Sequence, residues 1–497
     1  MISNKLRQAP ADYFFEFSVQ TDNAGTSTDF QFSVPTVATG SYDCTVFWGD
    51  GNSDAISSYS DAAWTHTYSA TGAYTIRIAG TFSGIQFNNG GDCLKLTEIS
   101  RWGQMTLGTT EGSYFYGCAN LDVTAWDIPR LGSVTSLASA FRGCSSIASF
   151  NRVSDWDVSS VTDMSDMFNS ATTFNQDISA WATASVTDMS GMFSGASAFD
   201  QDLGSMDVSA VTTMANMFNG LTLTTSNYDG ILTGWEAQSV QSGVTLDAGS
   251  STYTIMTSGT SRYNLMADSS WTITDGDSSY GTLSLWLDAS DESTITSSAG
   301  KVSNWADKSG NGRDAVQATA SAQPTTGSET ENGLNVLTWD GSSDYMKFPQ
   351  AAFPVANAHT VVIVLRKNAA GVKYIYLANG NDGTYTGRDN LGNFDTNKIF
   401  NVYGGSTLRG TTYSANTLIA LTLQYDGTTR YLRQNNVLDA SGTVTPDPLA
   451  SMHWLGANKN GSRNLNGIVA EVFAFTESLG TSERASLQSD IASKWGI

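Results

Sequence analysis

The chain has 497 residues, of which 40% are hydrophobic, 11% are aromatic and only 14% are charged. This length accommodates about three domains, and the aromatic content argues against an intrinsically disordered protein. The net charge of −22 argues against nucleic-acid binding, because the phosphates would repel the protein. Frequent glycine together with few charges is typical of a mainly β protein that works outside cells.

The amino-terminal segment from Met1 to Pro10 has no apolar stretch of the kind that secretory signals carry. No run of about 18 apolar residues occurs along the chain, so we expect no membrane insertion. The composition is therefore typical of an extracellular protein, whereas the first residues are typical of a cytoplasmic one.

Residues 1–92 contain the first recognisable motif. The segment Val46-Phe-Trp-Gly-Asp-Gly-Asn52 predicts a strand that ends in a tight turn, and Tyr74-Thr-Ile-Arg-Ile78 alternates like a half-buried strand. With His66-Thr-Tyr68, these segments resemble the polycystic-kidney-disease (PKD) module. The resemblance implies an immunoglobulin-like β-sandwich that serves as a spacer or adhesion unit. We interpret His66 as structural rather than a metal ligand, and Asp50 as a turn residue rather than a cation ligand.

Residues 93–277 contain an internal repeat. Val161-Thr-Asp-Met-Ser-Asp-Met-Phe168 recurs at residues 186–193 and 211–218, a period of 25, and residues 134–141 form an earlier copy. Met164, Met167 and Phe168 have the spacing of one face of a short helix, and a single unit cannot cover this apolar face. The sequence therefore predicts a stacked solenoid with methionines in its core; a methionine-rich binding surface is the alternative.

These units resemble the leucine-rich repeats of BspA-type surface proteins, in the variant with VTxMxxMF and FNQDIxxW. A tryptophan position recurs at Trp126, Trp156 and Trp181, and residues 227–275 look like the closing cap of such a stack. The resemblance implies a solenoid and an association with surface adhesion.

Two residue pairs lie about one period apart and should fall in adjacent coils. Cys118 and Cys144 are interpreted as buried small hydrophobes, with a disulfide between coils as the alternative. Asp177 and Asp202 form either a solvated acidic edge or a structural Ca²⁺ site, since stacked carboxylates repel unless they are solvated or bridged. Charge is concentrated here: residues 1–92, 93–277 and 278–497 carry −6, −13 and −3 respectively.

Residues 278–497 predict many short strands between Gly/Asn turns, followed by a helix from Ser482 to Lys494. The motifs LWLDASD, WADKSGNGRDA, VLTWDGSSDYM and LNGIVAEVFAF resemble the concanavalin A-like, laminin-G-like family. That family implies a jelly-roll β-sandwich that binds glycans or proteins, and some members are glucanases. The fold class expected for the whole chain is mainly β, with two sandwiches flanking a solenoid that contains short helices.

Enzymatic activity is not expected. Glycoside hydrolysis needs two carboxylates that flank the sugar bond, and the E-x-D-x-E type strand of the related glucanases is missing. Glu471 lies in the structural closing strand of the family. No phosphate-binding loop, HExxH or GxSxG motif occurs, so we expect no organic cofactor.

The candidate glycan-binding residues lie in two polar loops, for which ordinary solvated turns are the alternative. A tyrosine there can stack on a sugar, and Asn, Asp and Arg can bond its hydroxyls. The first loop contributes Asn379, Asp382, Tyr385 and Arg388, and the second contributes Asn458 and Arg463.

We therefore expect a structural and adhesive protein on a virion surface, as head decoration, fibre or tail adhesin of a bacteriophage, made in the host cytoplasm. Its expected partners are capsid or tail proteins, a host surface glycan or protein, and further copies of itself, since repeated weak contacts gain avidity. Lys5 and Arg7 are candidate anchors to the particle. The alternatives are a bacterial cell-surface adhesin and a glycan hydrolase.

Overall fold

The computed structural model describes residues 14–348, 357–369, 374–379, 390–394, 398–403, 406–443, 452–457 and 463–497. The chain is mainly β and divides into two compact units. Unit 1 comprises Met1–Tyr253 and Asn264–Gly276, and unit 2 comprises Thr254–Tyr263 and Asp277–Ile497. No helix among the described residues is long and apolar enough to cross a membrane.

Unit 1 begins with a six-stranded sheet and a two-stranded sheet. The strands are Phe14–Gln20 (β1), Gln31–Ser33 (β2), Thr36–Phe47 (β3), Ser53–Ile56 (β4), Thr65–Thr67 (β5), Ala73–Ile85 (β6), Leu96–Arg101 (β7) and Asp122–Val123 (β8). The order is β4-β3-β6-β1-β7-β8, and β2 pairs with β5. Phe15, Phe17 and Val19 alternate inward from β1, and Phe17 meets Phe32 of the small sheet at 6.0 Å. Because β7 belongs to the six-stranded sheet, this sheet extends beyond residue 92, the predicted end of the first module. The division of the chain into three modules stays a prediction.

His66 and Asp50 stabilise the turn that follows Trp48. The Nε2 atom of His66 lies 2.9 Å from Asp50 Oδ2, and the imidazole stacks on Trp48 with centroids 4.8 Å apart. The Asn52 amide N–H donates to Asp50 Oδ1. Burial raises the pKa of Asp50, but the hydrogen bonds from His66 and Asn52 outweigh it, and the net pKa is lowered. Both residues are engaged within the fold, as the sequence interpretation expected.

The 25-residue repeats stack as coils joined by backbone hydrogen bonds. One parallel bridge links each coil to the next through Ser136, Asp163, Asp188 and Thr213. The phenylalanines that end each VTxMxxMF segment stack on one another from coil to coil and form a ladder of rings. The ring centroids of Phe168 and Phe193 are 5.9 Å apart, and both side chains are fully buried. The methionines of these segments are fully buried, which agrees with core filling.

The segment around Met164 is a series of turns rather than the expected short helix. Asp166 has a φ of 54°, in the left-handed region, which a continuing right-handed helix cannot include. The Phe168 amide N–H donates to Met192 O of the next coil at 2.9 Å, so stacking takes the hydrogen bond that a helix would use.

Trp126 does not occupy the buried position of Trp156 and Trp181. Its side chain is 52% exposed, whereas theirs are 3% and 4% exposed. The ring centroid of Trp102 lies 5.7 Å from that of Trp156, so Trp102 fills the space beside the Trp156 ring. In the coil of Trp126, Ala125 is buried and Trp126 is not. The predicted recurrence of tryptophan is therefore wrong for Trp126.

All four cysteines are buried free thiols. The Cys144 thiol donates to Phe115 O at 3.2 Å, and burial raises the pKa of Cys93, Cys118 and Cys144. The structure thus agrees with buried hydrophobic cysteines and not with the alternative of a disulfide between Cys118 and Cys144.

Helices and a short parallel sheet follow the last coil. They are Thr225–Glu236 (α1), Thr245–Asp247 (β9), Thr260–Ala267 (α2), which a π-helical turn over Ile255–Gly259 precedes, and Thr272–Thr274 (β10). Trp235 of α1 is fully buried, and its indole N–H donates to Leu203 O of the preceding coil at 2.9 Å. The helix therefore covers the apolar end of the stack.

Unit 2 contains a seven-stranded and a nine-stranded antiparallel sheet. The strands are Leu283–Asp288 (β11), Ile295–Ser298 (β12), Lys301–Trp305 (β13), Ala315–Val316 (β14), Thr330–Glu331 (β15), Leu334–Asn335 (β16), Leu337–Asp340 (β17), Met346–Lys347 (β18), His359–Lys367 (β19), Tyr374–Asn379 (β20), Asn390–Phe394 (β21), Lys398–Tyr403 (β22), Ser406–Thr412 (β23), Ile419–Tyr425 (β24), Thr429–Gln434 (β25), Val437–Thr443 (β26), Met452–Leu455 (β27) and Asn466–Phe475 (β28).

The first sheet has the order β11-β28-β19-β24-β25-β26, with β17 also on β28, and the second has the order β12-β13-β14-β18-β27-β20-β21-β22-β23. Buried side chains of both sheets form one core. The helix Thr481–Trp495 (α3) buries Leu487, Ile491 and Trp495. Strands β11, β19 and β28 are buried along nearly their whole length, as expected for strands covered on both faces.

Candidate functional site

An aromatic patch lies on the outer face of the nine-stranded sheet, where β18 pairs with β27. Met346 pairs with Leu455 and both are buried, so the next pair, Lys347 and Trp454, points outward. The ring centroids of Trp454 and Tyr345 are 5.0 Å apart, at an interplanar angle of 43°. We call Tyr345, Lys347 and Trp454 the aromatic platform.

The platform is accessible and has unused polar groups. Tyr345 and Trp454 are half-buried and Lys347 is exposed. The Lys347 ammonium lies 4.4 Å from the Trp454 ring centroid and 5.5 Å from that of Tyr345. Within the described part of the chain, no hydrogen-bond partner faces the Tyr345 hydroxyl or the Trp454 indole N–H. An arrangement of this kind can stack on an apolar ring face and bond hydroxyl groups at its edge.

The acidic turn that precedes Tyr345 is structural. Burial raises the pKa of Asp340, but N–H groups of Ser342, Ser343 and Asp344 and the Ser342 hydroxyl bond its carboxylate and hold the net pKa well below the usual range. Asp344 is buried, and burial together with the Asp340 charge raises its pKa to about 6. Lys301 Nζ lies 3.8 Å from Asp344. These carboxylates fix the loop that presents Tyr345.

Another carboxylate pair, Asp288 and Glu471, is closed to substrate. The two residues face each other across β11 and β28 and are buried. Lys494 Nζ lies 2.8 Å from Asp288 and 3.0 Å from Glu471, and the Trp286 and Trp495 indole N–H groups donate to Glu471. Burial raises the pKa of Glu471, whereas for Asp288 the charges of Lys494 and Lys308 outweigh burial and lower it. The pair attaches α3 to the sheet.

The residues predicted from the two polar loops are only partly described. Asn379 ends β20 and pairs with Met452, the first residue of β27, whereas Asp382, Tyr385 and Arg388 lie outside the described residues. In the second loop Asn458 lies outside them as well. Arg463 is half-buried with a φ of 60° and follows the other end of β27.

Asn379 therefore lies at the Met452 end of β27, and the second loop follows the Leu455 end, about 10 Å away at 3.3 Å per residue. Trp454 of the platform lies within this strand. The sequence analysis predicts binding residues in the two loops and does not include Trp454. The alternation of Trp454 with the buried Leu455 in a strand is a pattern that could have identified it.

The remaining candidates lie elsewhere. Lys5 and Arg7 fall outside the described residues. Asp177 accepts the Ser179 N–H at 2.9 Å, and Asp202 accepts the Gly204 N–H at 2.8 Å, so each closes a turn. No group of three or more His, Cys, Asp or Glu residues suited to a metal occurs in the described ranges, and the proposed Ca²⁺ has no third carboxylate there.

Residues 110–244, which include the repeats, match the family model described as "Mycoplasma protein of unknown function, DUF285". No curated protein matches the chain.

Several solved structures resemble part of the chain, and three of them illustrate the similarity. A sialidase from Trypanosoma rangeli is 16% identical over 43% of this chain and 33% of its own, with a TM-score of 0.33. Domain 4 of an extracellular arabinanase from Geobacillus stearothermophilus, in complex with arabinotriose, is 14% identical over 42% of this chain and 99% of that domain, with a TM-score of 0.33. The binding domain of Paraclostridial Mosquitocidal Protein 1 is 13% identical over 42% of this chain and 52% of its own, with a TM-score of 0.32. The chain thus spans about a third of the sialidase's length.

Proposed function

We propose that this protein is a non-enzymatic adhesin that binds cell-surface glycans through the aromatic platform of unit 2. The observation that carries the proposal is the outward pair Tyr345 and Trp454, with unpaired polar groups and a lysine beside it. A sugar ring offers an apolar C–H face for the indole and hydroxyls for Lys347 and Tyr345. Displacing the lysine from the indole costs little, since an exposed cation–π contact is worth about 0.5–1 kcal/mol.

Two further observations support a binding role rather than hydrolysis. The Asp288–Glu471 pair is sealed by Lys494 and Trp495, so its carboxylates cannot flank a glycosidic bond. Asp344, whose raised pKa would suit a general acid, is also buried and does not reach the platform surface.

The proposal extends to where the adhesin acts. We place it on the surface of a virion, with the PKD-like module and the BspA-type coils as a stiff spacer and several copies per particle. Four buried free thiols fit folding in a reducing host cytoplasm. Cryo-electron microscopy of particles from the source would test this position. Finding the chain on cell envelopes and not on particles would favour the cellular adhesin.

The binding test compares the wild type with Trp454→Ala on an array of bacterial and animal surface glycans. The expected result is binding that weakens at least tenfold, which corresponds to about 1.4 kcal/mol. Trp126→Ala is the control, because it removes an indole of unit 1 that is 52% exposed and therefore more accessible than that of Trp454. Equal binding by the two variants would refute the platform. Release of oligosaccharides would overturn the non-enzymatic assignment.

A further inference from the structure

A polar groove of about 410 Å³ crosses three consecutive coils of the repeat stack in unit 1. Asp166 and Asn169 form one wall, Asn216 and Asn219 form the other, and Gly191 and Ser194 lie between them. Asp166, Gly191 and Asn216 hold equivalent positions in successive repeats. The groove therefore exists because the middle coil has no side chain where its neighbours have one.

The dimensions follow from the stacking. Phe168, Phe193 and Phe218 of the same three coils are 5.9 and 5.7 Å apart. The walls are two coils apart, roughly 10 Å at the usual spacing of paired backbones. A Cβ on Gly191 would lie 2.3 Å from Asp166 Oδ1, which is closer than two unbonded atoms can approach, so a side chain there must push the Asp166 carboxylate aside and change this wall of the groove.

The lining is suited to an uncharged polyol. Asp166 is neutralised by Arg142 at 2.6 Å and accepts the Asn169 amide at 2.8 Å. The Asn216 amide and the Ser194 hydroxyl have no hydrogen-bond partner among the described residues. Amides and hydroxyls can donate to and accept from sugar hydroxyls. The surrounding repeat region carries −13, which disfavours anionic sugars and nucleic acids.

From this geometry we infer that the groove is a second carbohydrate site, which binds one or two units of a neutral hexose or N-acetylhexosamine chain. The inference shares its ligand class with the proposed function, but it rests on different residues in the other unit. With no aromatic ring in the lining, the site binds each chain weakly, and repeated copies supply the avidity.

Gly191→Asn tests the groove by filling it. Its φ of 62° matches those of Asp166 and Asn216, at 54° and 58°, so the backbone suits asparagine, while the new side chain displaces the Asp166 carboxylate from its present position. Gly195→Ser is the control, because it copies Ser170 of the preceding coil, lies outside the lining, and meets only an ordinary 3.5 Å contact. Thermal unfolding checks that both variants fold. If Gly191→Asn does not, Asn216→Leu on the exposed wall takes its place.

The measurement is made in the Trp454→Ala background, with multivalently displayed protein on an array of neutral oligosaccharides. We expect residual binding that Gly191→Asn weakens at least tenfold and Gly195→Ser changes less than twofold. Equal effects of the two changes, or no residual binding at all, would overturn the inference. If Trp454→Ala alone removes all binding, the platform stands and the groove fails. If Trp454→Ala changes nothing and Gly191→Asn removes binding in both backgrounds, the groove stands and the platform fails.

Discussion

His359 should make the stability of unit 2 depend on pH. It begins β19 with a side chain that is 1% exposed, and its Nδ1 lies 2.7 Å from Asn357 O. Its Nε2 is buried and has no hydrogen-bond partner among the described residues. The centroids of the imidazole and the Tyr425 ring are 5.7 Å apart, and the positive charge of Arg430 acts on the imidazole. Burial and Arg430 lower the pKa to about 4, against the opposing effect of the Asn357 carbonyl.

The sign follows from proton binding. An unfolded histidine has a pKa of 6.5, so between pH 6.5 and about 4 the unfolded chain binds the proton and the folded chain does not. The free energy of unfolding is therefore at its full value above pH 6.5 and decreases as the pH falls through this window. At about 1.4 kcal/mol for each tenfold difference in proton affinity, the loss by pH 4 is about 3 kcal/mol.

The assay is urea unfolding of the wild type and His359→Asn at pH 7, 6, 5 and 4. Asparagine keeps a donor near the Nδ1 position and does not titrate. We expect the loss of unfolding free energy between pH 7 and pH 4 to be about 3 kcal/mol smaller in the variant. Asp344, whose pKa is raised to about 6, contributes with the opposite sign but is present in both proteins and cancels. Parallel curves, within about 1 kcal/mol, would refute the reasoning.

The other predictions concern burial and ion pairing. Phe193→Ala removes a fully buried ring from the ladder and should lower the free energy of unfolding of unit 1 by about 3–5 kcal/mol in urea; a loss under 1 kcal/mol would contradict the ladder. Lys95→Met leaves the Thr28 and Gln31 carbonyls without their buried ammonium donor and should cost about 3 kcal/mol by the same measurement, with an unchanged midpoint as the contrary result. Lys494→Met leaves the buried Glu471 without its counter-ion, while Asp288 keeps Lys308, and should destabilise unit 2 by about 3–5 kcal/mol; an added Glu471→Gln should recover part of the loss. The native protein should not react with a maleimide, whereas four thiols per chain should react in denaturant; labelling of the native state would contradict their burial.

The repeat period was sufficient to predict the stack because it reports which side chains must share a core. The same reasoning failed for Trp126, since repeat alignment carries no information about Trp102 filling the adjacent space. The turn at Asp166 was also missed, because a spacing of three and four residues fits both a helix and a hydrogen-bonded turn whose amides bond the next coil. Local pattern cannot decide between partners that lie 25 residues apart.

The binding surface was harder to predict than the fold. Tyr345 and Trp454 are more than 100 residues apart and meet only because β18 and β27 pair. The groove at Gly191 depends on a difference between repeats, whereas repeat detection uses what they share. The buried network of Asp288, Glu471 and Lys494 likewise required the docking of α3, which the predicted helix from Ser482 to Lys494 did not by itself indicate.

Because equivalent backbone hydrogen bonds join successive coils, the length of the repeat stack is set by the number of its repeats. Each VTxMxxMF segment makes the same backbone contacts with the next, as Phe168 N with Met192 O and Phe193 N with Met217 O. Duplicating one 25-residue unit in the gene would insert a coil whose neighbours already fit it, and would lengthen the stack by about 5 Å without altering either end. Unequal recombination can therefore adjust the reach of such a protein in fixed steps.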